Sequence, residues 1–144
     1  MAYRLHKNCM DFFKNINGLS TQFDYYYLCL MMGFKYKKLG KKEDIKKDSF
    51  TKEIIEAYKD SKYKIVGLLI ETEIERRGIN KNIEYEVEKI ISEIIDYNSK
   101  DNISDKGIEL LNLYSAGGFE KIQSNIEDNE NIEYFMQEYL DLIK

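Results

Sequence analysis

The chain has 144 residues, 43% hydrophobic and 33% charged, with a net charge of −4. That size and balance suit one compact core and argue against a disordered chain. Two cysteines and one histidine argue against a disulfide scaffold, a zinc ribbon or a His-based hydrolase, and no apolar run approaches the roughly 18–20 residues that cross a bilayer.

The first expected element covers residues 3–16, where Leu5, Cys9, Phe12 and Ile16 recur at helical spacing and Gly18 stands just past the end. Thr21-Gln22-Phe23-Asp24 has the form of a capping box opening a second helix, from Phe23 to about Tyr36. Its centre, Tyr25 to Met32, is apolar or amphipathic on every side, as in the central helix of a bundle. Residues 37–48 read as a loop, because Gly40 and a Lys-rich run break the apolar period. A short third helix is expected around Ile54, Ile55 and Tyr58. A fourth should run from about Ser61 to Arg77, with Arg76 and Arg77 facing its C-terminal dipole and Gly78 closing it.

Ile83, Val87, Ile90, Ile91, Ile94 and Ile95 form the stripe of a fifth helix opened by Asn80 or Asn82. The alternation from Ile83 to Glu88 also permits a strand, but the helical period prevails from Val87 onward. After a polar turn over 98–104, residues 105–116 read as a helix stopped by Gly117-Gly118, and Phe119, Ile122 and Ile126 as a short separate segment. The acidic turn 127–130 leads to a last helix carrying Ile132, Phe135, Tyr139 and Ile143. The expectation is therefore an all-α protein, one domain over residues 1–144 with about six to eight helices and a central apolar helix near residues 23–36.

Charge is polarised along the chain. Residues 1–69 hold 14 Lys and Arg against 8 Asp and Glu, a balance of +6; residues 70–144 hold 8 against 18, a balance of −10. The two halves can attract each other inside one fold or between copies. The basic signal is sharpest at Lys35, Lys37, Lys38, Lys41, Lys42, Lys46 and Lys47, diluted by Glu43, Asp44 and Asp48. Lysines around Tyr36 would let ammonium groups hold phosphate while the ring stacks on a base. A solvated loop is the plainer alternative.

No catalytic set assembles from the sequence. Walker, Gly-x-Gly-x-x-Gly and Gly-x-Ser-x-Gly motifs are absent. His6, Cys9 and Cys29 give at most three soft ligands, fewer than a structural zinc site needs, so no metal or cofactor is expected. The acids from Glu71 to Glu75, and Glu84 with Glu88, read as solvated helix faces. Tyr25, Tyr26 and Tyr27 point about 100° apart on a helix, so at least one is expected at an edge that suits a partner.

These features favour a non-enzymatic helical interaction protein, a small subunit or adaptor that binds another protein or itself. Nucleic-acid binding through Lys35–Lys47 is the alternative, and no membrane contact is expected. Ile, Lys and Asn make up roughly a third of the chain, a composition that suggests a low-GC bacterium or its mobile elements, where phage defence or counter-defence is a natural setting. Met1-Ala2-Tyr3-Arg4-Leu5-His6 has no continuous apolar leader run, so the cytoplasm is the expected compartment, with both cysteines reduced.

Overall fold

The computed structural model describes residues 2–128 and 130–144; Asn129, within the expected acidic turn, lies outside them. The fold is all-α. Among the described residues six α-helices occur in the order α1 (Cys9–Phe13), α2 (Gln22–Tyr36), α3 (Lys62–Arg76), α4 (Glu84–Ile94), α5 (Asp105–Asn125) and α6 (Ile132–Ile143). Only isolated β-bridges join the extended segments among the described residues. The chain forms two compact units. One comprises Met1–Tyr3 and Thr51–Leu111, the other Arg4–Phe50 and Asn112–Lys144. Helix α5 contributes to both.

In the second unit α2 starts as its sequence dictates. The Thr21 hydroxyl accepts the Asp24 amide hydrogen at 3.1 Å, and the Asp24 carboxylate accepts the Thr21 amide hydrogen at 2.9 Å. Two orphan donors of the first turn are thereby satisfied. The helix ends where Lys37 turns left-handed, at φ 51°. Phe23, Tyr26, Cys29, Leu30 and Met32 are all enclosed, as a central helix requires.

Gly117-Gly118 corrects the expected stop after residue 116. Helix α5 runs straight through both glycines to Asn125, absorbing the expected separate segment at Phe119 and Ile122. A Cβ on Gly118 would collide with the Cys29 carbonyl and lie 2.6 Å from the Gly33 nitrogen. One on Gly33 would collide with the Tyr114 carbonyl. The two helices thus meet backbone to backbone. Glycine costs a helix about 1 kcal/mol against alanine, and here the packing of two apolar helices outweighs that cost.

The N-terminal segment is the second correction. Leu5, Cys9, Phe12 and Ile16 are all buried, but only Cys9–Phe13 is helical. Leu5 and His6 run outside any helix and a turn at residues 7–8 leads into α1, because the Lys46 amide donates to the Leu5 carbonyl at 2.9 Å and the Lys7 amide to the Asp44 carbonyl at 2.7 Å. A loop far along the chain supplies the partners that a first helical turn would have left unmade. Beneath these segments Phe12, Phe13, Phe119 and Phe135 form an edge-on aromatic cluster, with Tyr25 stacked on Phe13 at 5.1 Å.

In the first unit the expected third helix is a 3-10 helix, Glu56–Ser61, and Ile54 lies before it, outside any helix. The Ile54 amide and the Tyr3 hydroxyl both donate to one oxygen of Asp101, at 2.8 and 3.1 Å. This shared acceptor fixes the segment outside a helix. Helix α3 ends in a Schellman motif: the Gly78 amide reaches the Glu75 carbonyl, the Ile79 amide reaches the Ile74 carbonyl, and Gly78 takes φ 67°. Helix α4 is helical over its alternating stretch, with Ile90 and Ile94 enclosed.

Candidate functional site

The Lys-rich segment runs from the last turn of α2 into a loop with one 3-10 turn at Lys42–Asp44. Lys35, Lys37, Lys41, Lys42, Lys46 and Lys47 are exposed. Lys38 is drawn inward, its ammonium 3.4 Å from Glu120 on α5. Tyr36 is less available than the sequence suggests. Its hydroxyl donates to the Leu142 carbonyl at 2.5 Å, and the Lys121 ammonium sits 4.3 Å from the ring centroid. A ring covered by a cation on one face and tethered at its hydroxyl is a poor platform for a base. The Lys38–Glu120 pair also joins the basic and acidic halves of the chain within one unit. This unit carries 12 Lys and Arg against 12 Asp and Glu, so it is neutral as a whole.

Tyr25 and Tyr26 are interior residues. Tyr25 stacks on Phe13, and the Tyr26 hydroxyl donates to Asn112 Oδ1 at 2.8 Å. Tyr25 is 9% and Tyr26 0% exposed, and Tyr27, half-buried, is the one of the three that reaches an edge.

The sequence grouped His6 with Cys9 and Cys29. The structure brings the two cysteines together, Sγ to Sγ 4.0 Å in the core, and burial pushes the Cys29 thiol up. His6 is turned to different company. Its Nε2 lies 3.8 Å from Glu120 Oε1, and one ligand atom each of His6, Asp44 and Glu120 lies within 4.8 Å of the others. His6 is 4% exposed and its ring is tilted against Phe119, centroids 4.7 Å apart. Its Nδ1 accepts the Asn8 amide hydrogen at 3.1 Å, which places the neutral ring's proton on Nε2, towards Glu120. Asp44 pairs with Lys7 at 2.9 Å, and that ammonium holds its carboxyl below the usual range. Sequence reasoning missed this cluster because its members come from an extended strand-like segment, a loop and the middle of a helix.

The first unit holds a second charged cluster. Glu73 read as part of a solvated face, but it is 0% exposed. Both its oxygens accept from guanidinium groups: Arg76 at 2.8 and 2.9 Å, Arg77 at 2.8 and 3.0 Å. Arg77 also donates twice to Glu93 of α4, at 2.8 and 3.0 Å, and so ties α3 to α4. That hydrogen bonding raises the Arg77 pKa and lowers that of Glu93. Arg76 and Arg77 therefore do more than face a helix dipole.

Beside this network lies a notch of about 250 Å³ lined by Arg77, Ile79, Tyr85, Glu86, Lys89, Ile90 and Glu93. Isoleucines supply its apolar part, and Tyr85 stands at its edge 71% exposed. A wider hollow of about 700 Å³ lies at the last turn of α5, edged by Asp11, Glu127, Asp128 and Phe12. Its acidic rim does not by itself specify a ligand. Among the described residues no helix is long and apolar enough to cross a membrane.

No protein-family model, no curated protein and no solved structure matches this chain.

Proposed function

We propose that this chain is a helical interaction protein that works as a subunit or adaptor and engages a basic segment of another protein at the Tyr85 notch. The carrying observation is the pairing of that largely exposed tyrosine with a small hollow of mixed lining, two isoleucines among charged side chains, backed by the Arg77–Glu93 ion pair. Tyrosine offers large contact area and a hydroxyl at little entropic cost, which is why it is enriched at interfaces. The charge of the occupant follows from the unit around it. Residues 51–111 carry 10 Lys and Arg against 14 Asp and Glu, a balance of −4, with Glu84 and Glu88 exposed close to Tyr85 in sequence. An apolar anchor flanked by Lys or Arg is the complementary chemistry.

Native mass spectrometry of the tagged protein, purified gently after nuclease treatment, tests the reading. The expected result is a stoichiometric complex with another protein that Tyr85→Ala abolishes and Tyr63→Ala, at another exposed ring, leaves intact. A chain that runs alone, or a complex indifferent to Tyr85, overturns it.

A second reading rests on the six exposed lysines between Lys35 and Lys47. They would hold a nucleic-acid backbone without reading sequence, since backbone contacts position and base contacts specify. The tethered state of Tyr36 removes the stacking contribution from that reading.

A further inference from the structure

We propose that His6, Asp44 and Glu120 form a binding site for one divalent metal ion of borderline hardness, of which Zn²⁺ is the probe of choice. Three chain segments converge there: the extended N-terminal stretch, the 3-10 turn at Lys42–Asp44 and the middle of α5. One imidazole and two carboxylates form a mixed nitrogen and oxygen set, which suits such ions and leaves coordination positions for water.

The spacing is close to what one ion requires. With metal–ligand bonds of about 2.0–2.2 Å, two ligands of a tetrahedral ion stand about 3.3–3.6 Å apart. The Nε2-to-Glu120 distance is already 3.8 Å, and all three ligand atoms lie within 4.8 Å of one another. Contraction by a fraction of an ångström to somewhat over one closes the set. Such movement is available to Asp44 and Glu120, both half-buried side chains, whereas the His6 ring is fixed against Phe119.

The groups that now neutralise the carboxylates can leave. Lys7 is 54% and Lys38 42% exposed, so each ammonium can swing to water when a cation replaces it. The protonation state also suits binding. Because Nδ1 accepts a hydrogen from the Asn8 amide, the ring is neutral and its one proton sits on Nε2, between the imidazole and Glu120. A metal ion takes the place of that proton. The proton moves to Nδ1, and the Asn8 amide, at an exposed residue, exchanges the ring for water.

This tautomer change gives the site a spectroscopic signature, and His6 is the chain's only histidine, so the signal belongs to one ring. The experiment is a Zn²⁺ titration of the full chain, prepared without a histidine tag and with thiols reduced. It is followed by calorimetry and by nitrogen–proton correlation of the imidazole. The expected result is one Zn²⁺ per chain, with the ring passing from the Nε2-protonated to the Nδ1-protonated form. Asp44→Asn and Glu120→Gln should each weaken binding at least about tenfold. Both alter half-buried positions and leave His6 in place, and circular dichroism checks that each remains folded. Glu127→Gln, on the acidic rim of the wider hollow, should bind Zn²⁺ as the parent does. Ring nitrogens that stay unchanged at stoichiometric Zn²⁺ would overturn the proposal. So would folded Asp44→Asn and Glu120→Gln variants that bind like the parent.

Discussion

Gly118→Ala is the sharpest test of how the second unit is built. The added methyl carbon would lie 2.6 Å from the Gly33 nitrogen and 2.8 Å from the Cys29 carbonyl carbon, and would collide with the Cys29 oxygen. Ordinary contact begins at 3.4 Å, so the shortfall against the Gly33 nitrogen alone is 0.8 Å. Every atom it meets belongs to the α2 backbone, so no side chain can swing aside. The helices must part, which loosens the packing of Cys29, Leu30, Tyr114 and Phe119, all now wholly enclosed. Overpacking in a rigid core costs about 1–3 kcal/mol and occasionally more. With backbone on both sides the upper end applies, and the roughly 1 kcal/mol gain in helix propensity only partly offsets it. The net expectation is a loss of about 2–3 kcal/mol.

Gly67→Ala is the matched control. Gly67 lies within α3, is exposed, and has nothing within 4 Å of a built Cβ. There the same substitution should stabilise by about 0.5–1 kcal/mol. Urea unfolding of both variants, followed by circular dichroism, reads the two signs side by side. A Gly118→Ala protein within about 0.5 kcal/mol of the parent would refute the backbone-to-backbone contact of α2 and α5, because ordinary surface substitutions lie in that range.

Three further outcomes follow from the charged clusters. Glu73→Gln leaves Arg76 and Arg77 without the enclosed carboxylate they share; thermal and urea unfolding should show a loss of about 2–4 kcal/mol, discounted from the fully buried case because both arginines reach solvent. Arg77 holds the Glu93 carboxyl below its ordinary 4.5, so the unfolded chain takes up that proton first as pH falls. The stability this pair contributes is complete above about pH 4.5 and is lost as pH drops through the folded value; Glu93→Gln should flatten that part of a urea-midpoint profile against pH. If nucleic acid binds the six exposed lysines, log affinity should fall against log salt with a slope of up to about −5, and Gln at Lys41, Lys42, Lys46 and Lys47 should make it shallower by nearly 4. An unchanged slope would locate the contact elsewhere.

Local signals were legible in the sequence wherever neighbours along the chain make the structure. The Thr21–Asp24 capping box, the Gly78 terminus and the α6 stripe all depend on residues within one or two helical turns, and each formed where its pattern placed it; α4 formed over Glu84–Ile94, with Ile83 rather than Asn80 or Asn82 at its N-cap and Ile95 past its end. The buried positions of the first segment were legible too, since burial of Leu5, Cys9, Phe12 and Ile16 needs only apolar side chains. What the sequence could not decide was settled by partners far away. Gly117-Gly118 has the composition of a stop, and only the approach of α2 turns it into a contact inside one long helix. Glu73 has the spacing of a surface acid, and it is enclosed because two arginines one turn on and Glu93 across the pair complete its charge balance. His6 and Cys9 share a helical spacing, yet the loop's Lys46 amide bonds the Leu5 carbonyl and the Lys7 amide bonds the loop at Asp44, keeping residues 5–6 out of a helix, so the imidazole turns to Asp44 and Glu120 while Cys9 meets Cys29. Periodicity records which side chains avoid water, whereas long-range backbone hydrogen bonds and paired charges decide which polar groups meet.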